Sequence, residues 1–251
     1  MRAWLVEGQP EVCLAVADQQ SAGRGRRDRH WEAPPGRALL LSAGFRPSEV
    51  TQAQSWRLAA VVSLAMLEAI SAIIPETSDG PGSERLALKW PNDIVALHDG
   101  RVRKLGGVLA EGSGDDGRLV SAVVGMGVNV DWQASDFPAH LAASMWSLQE
   151  LGGGRRIERE ALLSGWLARL GPLYADLSRG RFVGQRWANA HISTGAEIEV
   201  DSGAAVVRGV GRGVDPQSGE LIVGVPGEAA PRRFAHGDVV SCRVGPSAAR
   251  L

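Results

Sequence analysis

Apolar residues recur at three- and four-residue steps through Leu58, Val61, Val62, Ala65, Met66, Ala69, Ile70 and Ile73. The spacing puts them on one face and predicts a long core-facing helix from about Ser48 to Ile74, capped by Ser48 or Thr51 and stopped by Pro75. Leu162, Leu163, Trp166, Leu170, Leu173 and Tyr174 repeat the period and predict a second helix over Arg159 to Leu177. Short apolar runs bounded by turn residues read as strands: Val12 to Ala17, Leu86 to Trp90, Ile94 to Leu97, Leu105 to Glu111 and Leu119 to Val130. Turn signals at Pro91-Asn92, Asp99-Gly100 and Gly112 to Gly117 make the last four a meander, and Thr77 to Ser83 is a polar Gly/Pro connection.

After His191 the texture changes. Glu197 to Val200, Ala205 to Val210, Leu221 to Val225 and Val239 to Val244 are short β-rich runs divided by glycines, which suits a small barrel of about 55 residues. The expectation is an α+β chain, a mixed sheet flanked by helices over residues 1–190 with a small β-barrel over 191–251.

Composition narrows the function more than the fold. A chain of 251 residues with 44% hydrophobic side chains can remove roughly 70–75% of its unfolded surface from water without staples. Its two cysteines, Cys13 and Cys242, lie near opposite ends without metal-site spacing, as expected in a reducing compartment. No metal site is expected. The longest apolar run, Leu58 to Leu67, is about half the ~20 residues of a membrane span, and no basic region followed by an apolar stretch opens the chain, so the expected location is cytoplasmic. Twenty-seven basic against 28 acidic side chains leave a net charge of −1, which argues against nucleic-acid coating or adhesion to anionic membrane. Positive charge is instead local. Five arginines fall between Arg24 and Arg37, against Asp28 and Glu32, and a bound anion is the first thing to suspect.

Gly23-Arg24-Gly25-Arg26-Arg27-Asp28-Arg29-His30-Trp31 comes near the G-x-G-x-x-G fingerprint, but Asp28 replaces the third glycine and Glu32 to Gly36 cannot open a helix. What remains is a loop of forked guanidinium donors suited to phosphate or carboxylate, or else a solvated basic surface; Trp31 could stack on a flat ligand or pack a core. Lys89-Trp90-Pro91-Asn92-Asp93 presents an amide and a carboxylate at a turn, as a binding group or as a simple Asx-type turn. Lys104-Leu105-Gly106-Gly107 lets a ligand lie against strand backbone, although an edge lysine looks similar. Gly125-Met126-Gly127-Val128-Asn129 places small residues in a strand and an amide at its end, with a bulge as the plainer reading. Together they outline a site for something flat, anionic and phosphorylated.

With Gln20-Ser21-Ala22 ahead of the arginine loop, these four motifs in this order resemble the biotin protein ligases, and the likeness covers nearly the whole chain. The resemblance implies a biotin/lipoate ligase-like catalytic domain with an SH3-like C-terminal barrel. It implies activation of biotin by MgATP to biotinyl-5′-adenylate, then transfer to a lysine of a biotin carboxyl carrier domain. It implies catalytic roles for Lys104 and Arg24. Biotin would meet Gln20, Gly23, Arg24, Gly25, Arg26, Trp31, Lys104 and Gly107. ATP, with Mg2+ as its companion, would meet Arg24, Arg26, Arg29, Trp31, Asn92, Asp93, Lys104 and Asn129. Some relatives form homodimers through edge strands, which is expected here too, whereas operator DNA is not an expected partner.

Two positions depart from the family pattern. A Ser-Thr-Asn strand expected upstream of the arginine loop is missing before Met1-Arg2-Ala3-Trp4; the expected reason is a start assigned downstream of the true one or a truncated chain, ahead of a degenerate, poorly active homologue. Asp28 stands where the family has glycine, and its charge is expected to weaken retention of the adenylate. The rival readings are a lipoate or octanoate ligase or transferase and a non-catalytic binder of biotin or its adenylate.

Overall fold

Ala38–Phe45 (β2) is buried along almost its whole length, as expected for a strand covered on both faces, and it organises the larger sheet. The computed structural model describes residues 1–8, 13–74 and 84–245. Val12, Pro75 and the Thr77 to Ser83 connection lie outside them. A short helix, Arg2–Val6 (α1), precedes the edge strand Cys13–Ala17 (β1). The meander follows as Arg85–Lys89 (β3), Asp93–His98 (β4), Arg101–Asp115 (β5) and Arg118–Asn129 (β6). All pairs are antiparallel, in the order β1-β2-β6-β5-β4-β3. The sequence reading assigns no element to β2 because its apolar run shows no alternation, and none to α1.

Two turns behave differently from one another. Asp99-Gly100 closes its hairpin as read, with both residues left-handed. The glycine-rich stretch from Gly112 is not a turn: β5 continues to Asp115, and Asp116-Gly117, with φ of 45° and 77°, makes the reversal. Two left-handed residues match the strand twist, so the hairpin closes there rather than at the first glycine.

Trp56–Ile73 (α2) is the first long helix. It starts later than its periodicity suggests, because Thr51 caps a separate 3-10 turn, Gln52–Gln54, through a capping box with Gln54. The combined span Gln52–Ile73 is long and apolar enough to cross a membrane, but its surface is spent on the sheet and on Arg159–Leu177 (α4). Between them Trp166 is fully buried, its indole N–H donating to the Val62 carbonyl at 3.2 Å. Two shorter helices, Leu148–Leu151 (α3) and Gly184–Asn189 (α5), complete this layer.

The carboxyl-terminal part is a five-stranded antiparallel sheet of Glu197–Asp201 (β7), Val206–Val214 (β8), Leu221–Gly224 (β9), Arg232–Phe234 (β10) and Asp238–Arg243 (β11). Its order is β10-β9-β8-β7-β11, with no pairing of β10 to β11 among the described residues, so the expected small β-rich unit is present as a five-stranded sheet. Sequence reading misses β10, three residues with two exposed arginines. The apolar core runs through the 190/191 junction: Ile198, Val200 and Val223 belong to the same buried cluster as Val62 and Trp166. The Trp90 indole adds a polar tie, donating to the Gly219 carbonyl at 3.0 Å.

Candidate active site

The arginine loop leaves β1 and folds into a narrow hairpin. Gly25 N–H donates to the Arg29 carbonyl at 2.6 Å and Trp31 N–H to the Gly23 carbonyl at 3.0 Å, while Arg27 and Asp28 form the left-handed tip with φ of 52° and 57°. The hairpin lies over a cavity of about 700 Å³, within the usual range for a small-molecule site. Gly125, Met126 and Gly127 of β6 contribute to its floor. Gly127 is required there: a Cβ on it would sit 2.5 Å from Cε2 of Trp31.

Lys104, on β5, brings its ammonium within 2.6 Å of Asp93 Oδ1, and Lys89 reaches Oδ2 of the same carboxylate at 3.1 Å. Burial by itself would push the Asp93 carboxyl up, but the two ammonium groups and their hydrogen bonds hold it below the ordinary range. Gly107 makes the room, since a Cβ there would meet Lys104 Nζ at 3.2 Å. Lys104 Nζ also stands 5.6 Å from the Trp31 ring centre.

The arginines divide the work unequally. Arg26 points inward, three-quarters covered, with Nη1 on Asp238 Oδ1 at 2.9 Å; burial pulls its pKa down, against the pull of Asp238. Arg29 reaches Asp238 Oδ2 at 2.5 Å. Arg24 lies at the rim, two-thirds exposed, with both Nη atoms on the Glu111 carboxylate at 3.1 and 2.6 Å. The structure therefore puts Arg26, rather than Arg24, deepest among the loop cations.

Gln20, Arg24, Gly25, Arg26, Arg29 and Trp31 line this one cavity, and so do Asn92, Asp93, Lys104 and Gly107. Gly23 and Asn129 do not. Gly23 serves the hairpin through its carbonyl, and Asn129 is buried with Nδ2 donating to the Trp146 carbonyl at 3.1 Å, so its amide is used in holding the following segment. Asp28 is exposed at the tip of the loop and off the lining, so its carboxylate stands apart from the groups that face the cavity. Its left-handed φ is the conformation a glycine would take.

Several lining residues take places in the site that the sequence does not announce. Lys89 stands beside the Asp93 turn, yet only the coordinates show it sharing the carboxylate. Asp238, Val239 and Cys242 come from β11, more than 200 positions after the arginine loop, and burial pushes the Cys242 thiol up to about 11. His140 to Met145 form a rim tied to β5, with Lys104 N–H donating to the Ser144 carbonyl at 2.8 Å. Among the described residues no group of three or more His, Cys, Asp or Glu side chains could hold a metal ion. The indole N–H of Trp31 is buried in the lining without a protein acceptor, a donor left over for a ligand. Cationic groups beside an indole, over a floor with apolar residues, suit an anionic molecule with a flat part.

The sequence model of the Biotin/lipoate A/B protein ligase family matches residues 3–129, half of the chain. The chain belongs to that family. Among relatives within this ligase family, the Mycobacterium tuberculosis protein named Biotin--[acetyl-CoA-carboxylase] ligase is 32% identical over 242 residues, covering 92% of this chain and 79% of that protein. The Bacillus spizizenii protein named Bifunctional ligase/repressor BirA is 29% identical over 210 residues, and this chain spans only 60% of its length. The structure of a biotin protein ligase from Aquifex aeolicus in complex with biotin and ATP matches with a TM-score of 0.72 at 24% identity, covering 92% of this chain and 89% of that one. At that identity the likeness speaks for the ligase fold.

Proposed function

We propose that this chain is a biotin protein ligase. The observation that carries the reading is the convergence of Arg26 and Lys104 on one cavity beside the Trp31 indole and its unpartnered N–H. The relatives' names supply the acid, and the cation geometry supplies the chemistry.

In the first step the biotin carboxylate oxygen attacks the α-phosphorus of ATP, an O–P bond forms, and pyrophosphate leaves. Two anions must be brought together, so guanidinium and ammonium groups fixed beforehand lower the barrier by screening the approach and stabilising charge as it develops. Lys104, oriented by Asp93, and Arg26, oriented by Asp238, fill that role. Magnesium enters with the nucleotide as part of the substrate. In the second step a neutral lysine amine of a carrier domain attacks the acyl carbonyl, and AMP leaves. The covered cavity favours the uncharged amine and keeps water from the mixed anhydride. The same reading places the protein in the cytoplasm, with residues 1–190 as catalytic unit and 191–251 as its β-rich companion, and edge strand β1 as the surface for a homodimer.

ATP–pyrophosphate exchange tests it with biotin, octanoate or no acid. Exchange with biotin alone is expected; exchange with octanoate alone would assign the lipoate branch of the family, and no exchange would leave a binding protein. Lys104→Ala should lower the rate at least about 100-fold, the size of one lost transition-state contact of ~3 kcal/mol. An undiminished rate removes Lys104 from its role.

A further inference from the structure

We propose that Asp201 and Asp238 of the C-terminal sheet are positioning residues that hold the arginine loop over the cavity and thereby set how long the activated acyl nucleotide stays bound. The retention half of this statement rests on the function proposed above.

Arg27 is the one arginine of the hairpin that does not line the cavity. The left-handed tip turns it outward onto β7, where Nη1 meets Asp201 Oδ2 at 2.7 Å and Nη2 donates to the Asp201 carbonyl at 3.0 Å. The Asp201 carboxylate is fixed from its other side, because Oδ1 accepts the Gly203 N–H at 2.8 Å. Asp238 takes Arg26 and Arg29 on separate oxygens, and Arg26 Nη1 also donates to the Gly237 carbonyl at 3.1 Å. Arg27 comes within 3.8 Å of Asp238 Oδ2 as well. Three guanidinium groups thus share two carboxylates carried on neighbouring strands of one sheet.

The division of donors is what makes this a positioning device. Arg26 spends only Nη1 on the C-terminal sheet, and Arg29 spends Nη2 there and Nε on the Arg26 carbonyl. The remaining N–H groups of both are left for an anion in the cavity they line. A single exposed pair shifts an equilibrium by less than about five-fold, but a network on ordered, partly covered carboxylates is worth more. Loop opening must break all of it, so Asp201, bonded to Arg27 outside the cavity, acts on release, while Asp238 also orients Arg26 for the bond-making step.

The test uses the full chain and Asp201→Asn, which keeps size and the Gly203 contact but removes charge from a residue outside the cavity; Asp201→Glu restores the charge. Without any ligand, trypsin cleavage after Arg24, Arg26, Arg27 and Arg29, mapped by mass, should be about 3- to 10-fold faster in Asp201→Asn, and faster still when Asp238→Asn is added. Release of preformed biotinyl-adenylate, chased with unlabelled biotin, should quicken by a similar factor while kcat for pyrophosphate exchange stays within two-fold, and Asp201→Glu should return both readouts toward wild type. Unchanged cleavage in Asp201→Asn and in the double variant overturns the anchoring whatever reaction the protein performs. Faster cleavage with unchanged adenylate release overturns the retention role. If the wild-type protein forms no adenylate, the proposed function fails and retention with it, and the cleavage rates still decide the anchoring.

Discussion

Replacing Gly127 by alanine puts a methyl group where the Trp31 indole lies. The added carbon would stand 2.5 Å from Cε2, 2.6 Å from Nε1 and 2.8 Å from Cζ2, all atoms of one rigid ring. Ordinary carbon contacts begin near 3.5 Å, so the indole must retreat by about 1 Å or leave its seat. Its backbone cannot follow freely, because Trp31 N–H is bonded to the Gly23 carbonyl. Overpacking of this size costs about 1–3 kcal/mol. If that appears in ligand binding, KM for biotin and ATP rises about 5- to 150-fold; if it appears in the fold, the melting temperature falls instead. Exchange kinetics and thermal unfolding on Gly127→Ala separate the two. The decisive comparison adds Trp31→Ala, since without the ring the three atoms nearest the methyl group are gone and Gly127→Ala becomes much less costly. Unaltered KM and stability in Gly127→Ala, or strictly additive effects in the pair, would refute the packing of indole on glycine.

Three further outcomes are expected. Burial pushes the His191 imidazole down to about 4 from 6.5, so the fold holds it neutral; stability is complete above the unfolded value and is lost as pH falls from about 6.5 toward 4. Urea unfolding should show the wild type losing about 2 kcal/mol more than His191→Gln between pH 7.5 and pH 5, and equal losses would refute a neutral buried histidine. Asn129→Ala should cost about 1–3 kcal/mol of stability through the lost bond to Trp146 while leaving both KM values unchanged. A selective rise in KM for ATP would return Asn129 to the nucleotide. Asp28→Gly should leave adenylate release unchanged because the carboxylate is exposed and off the lining, and slower release would mean that its charge reaches the bound anion.

The legible parts of the sequence are those in which a local pattern carries the information. Helices α2 and α4 show their buried face as a period, and strands β3 to β6 are bounded by turn residues. Strand β2 lies between β1 and β6 and is covered on both faces, so its sequence shows only an apolar run. The chemistry of the site was visible in residue types, since forked cations, glycines and a tryptophan have few other reasons to cluster. Its geometry was not. Arg24 and Arg26 are equivalent as letters, and only the fold turns one to Glu111 at the rim and the other inward to Asp238. The Arg26–Asp238 contact bridges 212 positions from the loop to the C-terminal sheet and leaves no local trace. Gly23 and Asn129 were placed by motif, and both proved to serve backbone.

One carboxylate shared by two lysines also bears on which acids the cavity can distinguish. Lys104 is already satisfied by Asp93 before any ligand arrives, so a newcomer must offer it an equal or better anion. A carboxylic acid can do so by exchange, one negative oxygen beside another, with the ammonium hardly moving. The corresponding alcohol or amide has the same outline and nothing to trade, and such look-alikes should be turned away by charge before shape is consulted.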